Sequence, residues 1–223
     1  MLDGDLYGAQ DVIKRRSNDI GNKLKLIFWF AISELGLECL LLFSSVVASM
    51  GLILSGGAGG AAAGGTLVLV VVIGLAIVGI SIAYAITLFG LAKYNDAFQT
   101  AAVMYLIRVI LSLLQLFISG GFIGLIINIA EYALKIGFIV YFCNGMIESV
   151  RFVDGVLASQ WASFKNVYLI LCYISIGGAL LTIIPVIGIL GGIAALLAEL
   201  GLFGVEIWEL VLIWQAAGKL QNY

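Results

Sequence analysis

The segment Asn128 to Lys135, NIAEYALK, sets Glu131 and Lys135 four residues apart inside a long apolar run. That spacing puts a carboxylate and an ammonium group on one helix face, where each can neutralise the other. Glu34 and Glu38 in the first apolar run, Arg108 in the third, and Glu199, Glu206 and Glu209 in the last bring the total to six acids and two bases. One ionised side chain at the centre of a bilayer costs ~2.5 to 3.5 kcal/mol on insertion scales, so each of these groups needs compensation. At about 1.5 Å of rise per residue, Glu34, Arg108, Lys135 and Glu206 fall at similar depth, roughly 12 to 17 Å below the basic end of their helices. Glu38 and Glu131 fall one turn deeper.

The pairings this layout allows are Glu131 with Lys135, and Arg108 with Glu34 or Glu206. They leave four carboxyls in excess of the bases. A desolvated carboxyl without a partner must be protonated, hydrated, or bound to a cation. Handling of protons, cations or charged solutes is the chemistry this implies, and Glu34, Glu38, Arg108, Glu131, Lys135 and Glu206 are the candidate path. Glu199 and Glu209, toward the ends of a long last run, are expected to reach water. The chain contains no His, which removes the commonest metal ligand and the commonest general base.

The elements that must hold these groups are membrane helices. Of 223 residues 63% are hydrophobic and 11% charged, against the ~25% charged that is usual in soluble domains. The fold class expected is an all-α membrane protein of six transmembrane helices arranged as three helical hairpins. The spans run over about 24–54, 66–92, 100–118, 122–146, 167–184 and 186–216. Residues 1–23 form a polar cytoplasmic tail, and 24–223 the transmembrane domain. The turns fall at the Gly-rich SGGAGGAAAGG, at Ser119-Gly120-Gly121 and at Pro185, the only proline. Between the fourth and fifth spans, Val150, Val153, Leu157, Trp161 and Phe164 recur at helical spacing, so 149–164 reads as a cytoplasmic amphipathic helix lying on the membrane.

Orientation follows from the bases. Lys14, Arg15, Arg16, Lys23, Lys25, Lys93, Arg151, Lys165 and Lys219 all fall on the side of the two termini. The positive-inside rule then makes both termini cytoplasmic, in a multi-pass cell-membrane protein. Trp29, Trp161, Trp208 and Trp214 fall toward the same side, at the level of the headgroups. Glycine pairs such as Gly74 with Gly79 and Gly201 with Gly204 read as close-packing positions between helices.

Enzymatic chemistry is not expected: intramembrane proteases need His partners or paired aspartates that the spans lack. The Gly-rich stretch lacks the Lys-Ser/Thr ending of a phosphate loop. Cys39, Cys143 and Cys172 each stand in apolar sequence with no CxxC spacing, so neither a metal nor a cofactor is expected. Two function classes fit: translocation of a small solute or ion through a helix bundle with buried carboxylates, or a non-transporting structural subunit of a larger membrane assembly. The partners are the lipid bilayer and, for the second class, another protein or a second copy of the chain; nothing points to nucleic acid.

Overall fold

A computed structural model describes residues 2–54, 60–115, 121–181 and 188–223. Among the described residues lie six helices and no strand: α1 (Leu2–Leu54), α2 (Gly60–Ala92), α3 (Asp96–Gln115), α4 (Gly121–Arg151), α5 (Gly155–Leu181) and α6 (Gly188–Gln221). Five are long and apolar enough to cross a membrane, over Val71–Ala92, Asp96–Gln115, Ile126–Arg151, Gly155–Leu181 and Gly188–Gln221. In hydrocarbon a helix satisfies its backbone polar groups within the segment, which is why apolar runs of this length fold this way. The chain is a polytopic membrane helix bundle.

Each helix packs on its neighbours in sequence, and α1 closes the ring against α6. The contacts run in opposite senses along each pair. On α1 and α2 the Lys23 ammonium donates to Gly90 O at 2.7 Å, while Glu34 meets Ser81. On α5 and α6, Phe164 faces Trp208 and Ser175 donates to Glu199. Near the termini the inside of the ring is filled by Phe98, Phe142, Trp161 and Phe164, all fully buried and linked edge to face. Edge-to-face packing of this kind adds ~0.5 to 1.5 kcal/mol per pair beyond area burial.

Several boundaries differ from the sequence reading. Residues 2–23 are not a separate tail but the first turns of α1. Ser17 Oγ donates to Leu220 O at 2.6 Å, Ile20 is buried, and a Cβ at Gly21 would stand only 3.0 Å from Ala217 O. The end of this polar stretch, from Ser17 to Gly21, packs on the end of α6. Gly60 to Gly65, expected in a loop, belong to α2. The calls at Ser119, Gly120 and Pro185 lie outside the described residues.

No separate interfacial helix occupies 149–164. The chain leaves α4 at Arg151, with Val153 N and Asp154 N both bonded to Val150 O, and α5 restarts at Gly155. Asp154 is the cap of the new helix: its Oδ1 accepts from Leu157 N at 3.0 Å and its Oδ2 lies 3.1 Å from Lys219 Nζ. Those two contacts, the backbone donor first, hold its carboxyl below the usual range. The amphipathic stripe exists, but Val150, Leu157, Trp161 and Phe164 turn into the bundle rather than onto the membrane. Trp161 is therefore a core residue and not a headgroup anchor, whereas Trp29 and Trp214 are exposed.

The turn between α2 and α3 is tied down from α1. Asp19 receives the Tyr94 hydroxyl and lies 3.0 Å from Lys93 Nζ and 3.3 Å from Lys23 Nζ. Arg16 donates to Tyr94 O at 2.6 Å. The Tyr94 hydrogen bond, with Lys93 and Lys23 adding to it, brings the Asp19 carboxyl down to about 2.

Candidate functional site

Beyond the aromatic filling, away from the termini, the ring opens into a cavity of about 200 Å³. Glu34 and Glu38 reach it from α1, Arg108 from α3, Lys135 from α4, and Glu206 and Glu209 from α6. Tyr84, Tyr105 and Tyr168, from α2, α3 and α5, complete the polar lining. All six helices thus contribute a polar side chain, which only a closed ring of inward faces makes possible.

The groups fall into two sets. Glu34 is fixed by hydroxyls: Ser81 Oγ donates at 3.0 Å, and Tyr105 donates at 2.9 Å to the second oxygen. Lys135 Nζ pairs with Glu206 Oε1 at 3.0 Å, each side chain about a third exposed. Arg108, Glu38 and Glu209 make no hydrogen bond or ion pair among the described residues, and the Tyr168 hydroxyl is buried without a hydrogen-bond partner. Four carboxyls therefore face two bases around one space.

Five of the six residues singled out from sequence line this cavity; Glu131 does not. It accepts instead from Ser112 Oγ and, at 2.9 Å, from Gln115 Nε2, which also donates to Asn128 at 2.6 Å. The expected pair of Glu131 with Lys135 is not formed, because α3 presents two uncharged donors to Glu131 while α6 presents a carboxylate to Lys135. The expected pair of Arg108 with Glu34 or Glu206 is not formed either, since hydroxyls occupy Glu34 and Lys135 occupies Glu206.

Glu209, expected at a watery helix end, lines the cavity, because α6 continues to Gln221 and places it well inside. Its spacing of three from Glu206 was the available signal. Tyr105 carried the same signal relative to Arg108. Tyr84 and Tyr168 had only their depth to mark them. Glu199 receives Ser175 Oγ at 2.6 Å between α5 and α6.

Among the described residues no group of His, Cys, Asp or Glu has the arrangement of a metal site. What the cavity offers is a dense acceptor surface with aromatic walls: the Tyr84 and Tyr105 rings stack at 4.7 Å, and Phe138 lies 5.2 Å from Tyr105. No protein family, curated protein or solved structure matches the chain.

Proposed function

We propose that this protein translocates a small solute or ion through the centre of its helix ring, with the carboxylates of the cavity as the groups that accept it. The observation that carries this reading is the charge imbalance: Glu34, Glu38, Glu206 and Glu209 against Arg108 and Lys135 around one space. A purely structural polar centre is stable when its charges cancel, and surplus carboxylates inside a bilayer cost several kcal/mol each unless protons or cations meet them. A second polar cluster, Glu131 with Ser112, Gln115 and Asn128, lies on α3 and α4 nearer the end of the bundle opposite the termini.

The topology we infer is six crossings in three hairpins, with α1 as the sixth and both termini cytoplasmic. The support is the collection of bases at one end, where Lys93 and Lys219 are paired with Asp19 and Asp154. We infer no enzymatic activity.

The test is flux of protons and monovalent cations in liposomes holding the purified full chain. Glu206→Gln, Glu209→Gln and Glu34→Gln are each expected to lower flux by roughly tenfold or more, the size of one charge-assisted contact. Glu199→Gln, which alters an α5–α6 contact away from the cavity, is expected to leave it unchanged. Flux that is equal in all four variants would end this reading and favour the assembly-subunit class.

A further inference from the structure

The charged cavity does not stand alone. Beside it, between α1, α2 and α3, lies a second space of about 470 Å³ whose walls are apolar, with Leu41, Val71, Leu75, Val78, Val109 and Leu113 among them. Glu34, Glu38, Tyr105 and Arg108 line both spaces, so the cleft and the cavity adjoin at these side chains. Gly74 forms part of its wall, and a Cβ there would meet nothing within 4 Å. We propose that cavity and cleft together form one site for an amphiphilic ammonium ion, its charged head among the carboxylates and its alkyl tail in the cleft. The proposal rests on the translocation reading and names the class of solute.

The head is specified by what the protein leaves unpaired. Glu38, Glu209 and Arg108 make no ion pair among the described residues, so two unpaired carboxylates stand against one guanidinium around the cavity. An ammonium group meets the carboxylate that Arg108 leaves over. An anionic head would add to an existing surplus of negative charge, and an uncharged head would leave the carboxylates uncompensated.

The tail is specified by the cleft. A site for a small inorganic ion has no use for an adjoining apolar space more than twice the size of its own. The polar cavity alone is well below the ~300 to 1,000 Å³ of sites for drug-sized ligands, so the head is compact. Because the two spaces share residues, head and tail join without a spacer, as in a simple alkylamine.

The experiment is photolabelling of the full chain in lipid nanodiscs, with no gradient applied, by an octylammonium derivative that carries a diazirine near the tail end. Labelled peptides are expected to map to 71–78 of α2 and 109–113 of α3. Octylammonium is expected to compete, while octanol and octanoate at the same concentration do not and methylammonium does so only weakly. Glu38→Gln combined with Glu209→Gln lowers labelling by roughly tenfold or more. Gly74→Leu, whose Cβ would meet nothing within 4 Å and whose side chain would occupy the cleft, blocks labelling of the cleft, and Glu199→Gln leaves it unchanged.

Competition by octanol equal to that by octylammonium would overturn the proposal and assign the cleft to ordinary lipid tails. Equal competition by methylammonium would overturn it in favour of a small-cation site, and label spread evenly over the outer helix faces would remove the site altogether. Labelling without flux would remove translocation and leave the binding site standing; flux without labelling would do the reverse.

Discussion

Lys135 reaches across the ring to Glu206 rather than along its own helix to Glu131. Both acids were within the reach of a lysine side chain. The difference is made by Ser112 and Gln115, which satisfy Glu131 without a charge. Removal of one partner of a desolvated pair leaves the other uncompensated. Lys135→Met is therefore expected to destabilise the bundle by about 1 to 3 kcal/mol, below the ~3 to 5 of a fully buried pair because both side chains are about a third exposed. Thermal unfolding in nanodiscs reads this, and Lys135→Met with Glu206→Gln should recover part of the loss. At this scale the sequence was legible as to which residues are ionisable within the membrane and how deep they lie. Partner choice was not, because uncharged donors on a neighbouring helix decide it, and helical spacing carries no information about them. The same reason explains why Glu34 is held by Ser81 and Tyr105 rather than by Arg108.

Helix ends were the least legible elements, and the reasons are local. Asp154 looks like one more polar residue beside an amphipathic stripe, yet as a cap it starts a new helix and turns the stripe into the core. Asp19, read as part of a tail, fastens α1 to the α2–α3 turn. An acid whose folded value is lowered contributes its stability in full above the unfolded value of 3.8 and loses it as pH falls toward about 2. The contact should hold at neutral pH and loosen between about pH 4 and pH 2. Pulsed-EPR distances between spin labels at Arg15 and Asp96 would show the separation growing over that window. With Asp19→Asn, the pH dependence should disappear.

Glycines give a second prediction for elements. Of the positions that spacing suggested, Gly74, Gly79 and Gly204 do not mark close approach, since a Cβ there would meet nothing within 4 Å, whereas at Gly201 it would stand 3.0 Å from Leu171 Cδ2. Between α5 and α6 the backbones approach closely at Gly178 and Gly191, where a Cβ on either would stand 2.7 Å from the other's carbonyl oxygen. Gly191→Val is expected to force α5 and α6 apart at a cost of about 1 to 3 kcal/mol. Gly177→Ala, one residue from the contact and facing open space, should melt like the parent protein.

At the scale of the whole molecule, the ring closes because α1 meets α6, through Ser17 with Leu220 and Phe28 with Trp214. That closure turns scattered intramembrane charges into one lined cavity, and neither composition nor periodicity along a single helix could reveal it. The number of long apolar segments and the helical class were readable because bilayer thickness and backbone hydrogen bonding leave few alternatives. The most direct test of the shared centre is a charge exchange across the ring. Lys135→Glu alone and Glu206→Lys alone should each lower the thermal stability and cation flux of the full chain in lipid. The double exchange, Lys135→Glu with Glu206→Lys, should restore most of both. Restoration by Lys135→Glu with Glu131→Lys instead, and not by the exchange with Glu206, would contradict the account.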